Sequence, residues 1–235
     1  KYFEDKKNCQ NDTEVGLVRV ILLVENSIRY YSRYLPLLYS EIIKQTQRLI
    51  TKDKLDGVKK ILRMRARPKV LLAVNYEEAV EFYEKFKSTM LCVISDVKFP
   101  FEGKIDDEAG IKLLLKIKSA DGDLPFLLQS SESTFAETAT LHDASFINKN
   151  SETLSEDLRE FILNNLGFGD FIFRDKAGYV IKRASSIEEF KYLLKKVPSE
   201  SVIYHGSRNH FSAWLMARGE IQIAEHLEKL KITDF

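Results

Sequence analysis

Residues Met90 to Pro100 read MLCVISDVKFP. An apolar, strand-like run here delivers a single carboxylate, Asp96, to its carboxyl end. In an open α/β sheet that end is where ligands and chemistry collect. The fold therefore turns on whether other stretches of the chain have the same form, an apolar run followed by a polar side chain.

Several do. Leu17 to Val24, LVRVILLV, is almost continuously branched and apolar, as a strand buried on both faces of a parallel sheet should be, and it ends at Glu25-Asn26-Ser27. Lys69 to Val74, KVLLAV, is a second strand. Leu124 to Gln129 is a fourth, ending at Ser130, and Ala144 to Asn148, ASFIN, is a short fifth that delivers Lys149. Helical spacing fills the gaps. It runs from Ile28 to about Ile50, with Pro36 expected to kink or split the helix. It recurs from Tyr76 to Phe86, from Ala109 to Ile117, weakly through Leu141, and from Leu154 to Leu166 before Gly167. Strand and helix thus alternate five times, and right-handed crossovers make this a flavodoxin-like, doubly wound five-stranded parallel sheet.

The remaining stretches are punctuation around that frame. Residues 1–16 are polar and aperiodic and read as a tail or linker. Residues 51–67 read as an insertion with a short helix bearing Leu55, Val58, Ile61 and Leu62, and a solvated basic stripe of Lys59, Arg63 and Arg67. Asp106, Asp107 and Glu108 form an acidic loop that favours the positive N-terminus of the next helix rather than a second metal site. The main domain then spans 17–168. From 169 to 235 the style changes to a small α+β segment. Phe171–Arg174 and Tyr179–Lys182 flank a turn signal, Ser186 to Glu189 opens a capped helix, and helical patterns follow from about Asn209. His205 and His210 flank Gly206 to Asn209 and read as surface or capping histidines, since no cysteine or carboxylate pattern completes a metal site. The start without Met and the end at Phe235 read as a piece of something longer.

Composition narrows the function. Apolar residues make up 44% and charged residues 30% of 235, with a formal net charge of +1, so nothing in the charge balance argues for nucleic acid. No apolar run approaches the roughly 18 residues that span a bilayer. Cys9 and Cys92 make neither a disulfide framework nor a zinc site, which is consistent with a cytoplasmic location. There is no phosphate-binding loop of the G-x-x-x-x-G-K-[ST] type.

In the flavodoxin-like order, strands one, three, four and five are neighbours, so Glu25, Asn26, Asp96, Ser130 and Lys149 can meet at one sheet edge. A carboxylate nucleophile, polar cation ligands, a hydroxyl and an ammonium make a phosphoryl-transfer pocket. On these residues the chain resembles the receiver domain of two-component response regulators over about residues 17–166. SDVKFP carries Asp96 with Phe99 and Pro100 at the family's offsets. LLQSSE carries Ser130, about 34 residues on, and SFINK carries Lys149, about 53 residues on, with Phe146 at the switch aromatic.

The resemblance implies Asp96 as phosphoacceptor, Glu25, Asn26 and Asp96 as ligands of Mg2+, Lys149 and Ser130 as partners of the transferred group, and Ser130 and Phe146 as the switch. It implies a histidine kinase or other phosphodonor as partner, and a regulatory module rather than an enzyme. Asn26 stands where the family has a carboxylate, and Asn150 where it has a proline. The first change weakens a magnesium site, which leaves a pseudo-receiver acting in docking or homodimerisation as the alternative. HFSAWLMARGE, residues 210–220, resembles the segment before the catalytic part of phosphoenolpyruvate-synthase-like proteins, which implies a downstream enzymatic domain in the same chain. A haloacid-dehalogenase reading would need a second aspartate two residues after Asp96, and Lys98 stands there.

Overall fold

The apolar runs form strands in the computed structural model, which describes residues 1–15, 18–52 and 67–230. In chain order they are β1 (Val20–Val24), β2 (Lys69–Ala73), β3 (Met90–Asp96), β4 (Phe99–Phe101), β5 (Lys104–Asp106), β6 (Phe126–Ser130) and β7 (Ser145–Asn148). β2, β1, β3, β6 and β7 pair in that order, all parallel. Every residue of β1, β2 and β6 is buried, because helices cover both faces of a doubly wound sheet. Val20, Leu22 and Val24 join the core on one face with Ala79, Tyr83, Leu113 and Ile117, while the alternating Ile21 and Leu23 are equally buried on the other.

The helices of this part are α1 (Tyr2–Glu14), α2 (Ile28–Lys52), α3 (Tyr76–Phe86), α4 (Ala109–Ala120), α5 (Phe135–Leu141) and α6 (Leu154–Asn165). Asn75 caps α3 by accepting the Glu78 N–H, at 2.8 Å. Pro36 lies inside α2 without splitting it. It sits on the exposed side of the helix.

Three expectations need correction. Residues 2–14 are a helix, not a tail. Its buried side chains are Asp5, Cys9 and Thr13, so no apolar stripe announces it. Asp5 instead anchors it. Its carboxylate accepts from Arg67 Nη2 at 2.7 Å and Nη1 at 3.0 Å, from Tyr39 Oη at 2.9 Å and from the Val70 N–H on edge strand β2 at 3.1 Å. Burial alone would raise the Asp5 pKa, but these donors outweigh it and hold the carboxyl below its ordinary value. Arg67 therefore belongs to a buried ion pair rather than to a solvated stripe; Leu55, Val58, Lys59, Ile61, Leu62 and Arg63 lie outside the described residues.

The second correction is the loop after Asp96, which is a β4–β5 hairpin. Its two-residue turn, Glu102-Gly103, has φ of 51° and 76°, the left-handed pair that suits a tight hairpin. The third concerns the histidines, described below.

The chain divides into two units, Lys1–Phe161 and Ile162–Phe235, with the division inside α6 rather than after residue 168. The second unit contains the antiparallel pair β8 (Phe171–Arg174) and β9 (Val180–Ala184), then α7 (Ile187–Leu194), α8 (Ser199–Gly206), α9 (His210–Ala217) and α10 (Ile221–Leu230). Its core is an aromatic cluster of Phe171, Phe173, Phe190, Phe211 and Trp214. His205 is buried against that cluster, not on the surface. Its Nε2 accepts the Arg174 N–H at 2.8 Å, and its Nδ1 lies 2.9 Å from His210 Nδ1. No described helix is long and apolar enough to cross a membrane.

Candidate functional site

Register brings the site together. Val24 pairs with Ser95, so Glu25 follows level with Asp96, and Asp96 pairs with Gln129. Lys149 leaves β7 just past Asn148, the partner of Ser130, and its N–H donates to the Ser130 carbonyl at 2.9 Å. Four strand ends thus open on one edge.

There the Lys149 ammonium joins two carboxylates. Nζ lies 2.5 Å from Glu25 Oε2 and 2.7 Å from Asp96 Oδ2. Glu25 is fully buried, while Lys149 is 3% and Asp96 8% exposed, so the cluster is nearly dry and only the Asp96 side reaches the surface. Burial first, and then the neighbouring Asp96 charge, raise the Glu25 pKa; Lys149 and the Ser27 N–H act the other way. The second Glu25 oxygen accepts that Ser27 N–H at 3.0 Å, fixing the start of α2. Asp96 Oδ1 accepts the Val97 N–H at 2.7 Å.

Asp96 is also held from behind. The Gly110 N–H donates to the Val97 carbonyl at 2.9 Å, and a Cβ at Gly110 would overlap the Asp96 carbonyl. Only glycine allows α4 to approach this closely. Gln129 lies on the other side, its Nε2 3.5 Å from Glu25 Oε2 and its Oε1 buried without a partner.

The other expected residues stand nearby but outside this contact. Ser130 is buried beside Asp96, and its Oγ accepts the Glu132 N–H at 3.1 Å, closing the turn after β6. Asn26 is half-buried, next to Glu25 and outside the Lys149 cluster. Phe146 is half-buried on β7 and packs against the main core. Lys98 lies at the rim, 2.9 Å from Glu132 Oε1 and 3.4 Å from Asp107 Oδ1.

Sequence reasoning missed four contributors: Tyr30, Arg33, Gln129 and Gly110. Tyr30 presents its ring to Lys149 Nζ, with the centroid 4.3 Å away, and Arg33 Nη1 donates to the Lys149 carbonyl at 3.3 Å. Gly110 had a legible signal, a glycine in the first turn of a helix following the Asp96 strand. Tyr30 and Arg33 had none.

A divalent cation is tested by the donors present. The Glu25 and Asp96 carboxylates converge on one positive group, so their oxygens already address a common cation position, and the Asn26 amide oxygen is the next donor in the chain. These are hard oxygen ligands of the kind Mg2+ takes, with two charges rather than three. Among the described residues no cluster of three or more His, Cys, Asp or Glu side chains is placed to hold a metal.

No family model and no curated protein matches the chain. Solved structures do. A response regulator receiver domain protein from Clostridium thermocellum is 18% identical, with 63% of this chain and 94% of that one covered at a TM-score of 0.39. A chain of the CheX-CheY-BeF3-Mg2+ complex from Borrelia burgdorferi is 17% identical, covering 62% of this chain and 87% of that one at 0.44. A Vibrio cholerae CheY-type chemotaxis protein is 17% identical, covering 63% and 99% at 0.41. By its own strand order the first unit has the flavodoxin-like doubly wound fold, with Glu25, Asp96, Ser130 and Lys149 at the strand ends.

Proposed function

We propose that the first unit is a phosphoryl-accepting signalling receiver with Asp96 as the acceptor. The observation that supports this most is the convergence of Lys149 on Asp96 and Glu25 at the carboxyl end of β3. An Asp96 carboxylate oxygen attacks the phosphorus of a donor such as a phosphohistidine. The bond from phosphorus to the donor imidazole breaks, and the imidazole leaves with the electron pair. Lys149, 2.7 Å from the acceptor carboxylate, neutralises charge on the arriving group. Glu25, Asn26 and Asp96 would hold a Mg2+ ion, which supplies positive charge for the phosphoryl oxygens. Ser130 turns its hydroxyl from the Glu132 N–H toward the new oxygens, and Phe146 on the neighbouring strand carries the change outward. The partner is a histidine kinase or another phosphodonor.

The test is to incubate the chain with Mg2+ and acetyl phosphate and measure intact mass. One added phosphoryl group, lost in Asp96→Asn, is expected. No adduct, together with no Mg2+-dependent beryllofluoride binding, would sink the reading.

A second reading has its own support in Asn26 and in the Ser130 hydroxyl already engaged in a turn. It makes the unit a pseudo-receiver used for docking or self-association, in which Asp96→Asn leaves the oligomeric state unchanged. Asn26→Asp separates the two. A working site should gain Mg2+ affinity by roughly an order of magnitude from the restored charge, whereas a vestigial one should not.

A further inference from the structure

The Lys149 ammonium has three N–H donors. Glu25 Oε2 and Asp96 Oδ2 take two of them, and the third side of the group faces the ring of Tyr30, whose centroid is 4.3 Å from Nζ. The electron-rich face of an aromatic ring attracts a cation, and more strongly when water is excluded, as it is around this buried lysine.

Tyr30 is itself placed by the site. The Ser27 N–H donates to Glu25 Oε1 at 3.0 Å, and the Tyr30 N–H donates to the Ser27 carbonyl at 3.0 Å. Glu25 therefore holds Lys149 twice, directly and through the turn that presents Tyr30. Three residues further along α2, Arg33 Nη1 donates to the Lys149 carbonyl at 3.3 Å. The lysine is gripped at its ammonium and at its backbone by one helix face. The turn beyond it is closed by the Asn150 N–H donating to Asn148 Oδ1 at 2.8 Å and the Ser151 N–H donating to the Asn148 carbonyl at 3.0 Å.

We propose that Tyr30 and Arg33 form a clamp that positions Lys149 against Asp96, the ring holding the ammonium and the guanidinium holding the strand end. This role rests on the reading of Asp96 as phosphoacceptor. With the clamp in place, Lys149 can give up Glu25 and still keep Asp96 and the ring. It then turns toward an incoming phosphoryl group instead of swinging into water. Neither Tyr30 nor Arg33 touches the reacting atoms, so both are positioning residues.

The experiment uses the whole chain and two readouts. The first is the NMR shift of the Lys149 ε-methylene protons, which a ring face moves upfield whether or not the protein is phosphorylated. The second is the rate of labelling by acetyl phosphate with Mg2+, followed by intact mass. Tyr30→Phe should keep the upfield shift and label within about twofold of native, whereas Tyr30→Leu should lose the shift and label about tenfold more slowly. Arg33→Gln, at an exposed side chain, should slow labelling about threefold with the shift retained, and it serves if Tyr30→Leu does not fold. Unshifted Lys149 protons in the native chain, or equal labelling of the Leu and Phe variants, would overturn the clamp, as would native-like labelling of Arg33→Gln. A native chain that takes no label defeats the proposed function, and the shift measurement then decides the clamp by itself.

Discussion

Lys149 and Glu25 form a buried ion pair with Nζ 2.5 Å from Oε2, and neither side chain is more than 3% exposed. Burial raises the Glu25 pKa, so ionised Glu25 depends on Lys149 and on the Ser27 N–H to offset its lost hydration. Removing one partner should be worse than removing both. Lys149→Met is expected to cost about 3–5 kcal/mol, and Lys149→Met with Glu25→Gln distinctly less. Urea unfolding of the single and double variants measures this; equal losses would show that the pair is not the dominant partner of Glu25.

Gly110 bears on Asp96 through the backbone. A methyl group there would overlap the Asp96 carbonyl and approach Val97 Cα to 2.8 Å. These are main-chain atoms and cannot rotate away, so α4 must move. Gly110→Ala should destabilise the first unit by about 1–3 kcal/mol. It should also lower acetyl phosphate labelling more than its stability loss explains. Full labelling by a folded Gly110→Ala chain would count against the tight placement of Asp96.

The Asp5 anchor predicts an acid effect at the amino end. The folded carboxyl titrates below its unfolded value of 3.8. Its contribution is therefore complete above that pH and disappears as pH falls through the lower folded value. Asp5→Asn should cost about 3 kcal/mol at pH 7, because Arg67 is left buried with its charge uncompensated. The penalty should shrink as the native chain is taken below pH 3.8. Hydrogen exchange of the Val70 amide, which Asp5 protects, should speed up in the variant.

His205 predicts acid sensitivity in the second unit. Burial first, then His210, Arg174 and Arg208, lower its pKa from 6.5 to about 3. Between those values the unfolded chain binds the proton and the folded one does not, so stability falls as pH drops from 6.5 toward 3. The hydrogen bonds agree, because Nε2 already accepts from Arg174 and cannot carry a proton without losing that bond. The loss across the window should be on the order of 5 kcal/mol. Trp214, the one tryptophan, lies in this core and reports it by fluorescence. His205→Gln should flatten the pH dependence.

The frame was legible because its signal is local. Runs such as VILLV and FLLQS bury both faces of a parallel strand, and their alternation with helical spacing leaves few topologies. Four of the five runs also end in a polar residue that matters, so Glu25, Asp96, Ser130 and Lys149 could be proposed as neighbours before any contact was seen. The hairpin after Asp96 escaped because its turn is Glu102-Gly103 rather than a stronger turn pair. α1 escaped because its buried face is polar, and such a face is favourable only when a distant Arg67 and Tyr39 complete it.

What the sequence determined by itself, then, is the sheet and the side chains its ends present, since these follow from periodicity and strand order. The tertiary structure decided how those side chains are used. It placed one ammonium between two carboxylates, turned the Ser130 hydroxyl to its own loop, and laid Tyr30 against Lys149. Such contacts join residues as far apart as Glu25 and Lys149, and depend on distances of a few ångströms between elements. No local pattern encodes them, because each is set by how the helices pack on the sheet.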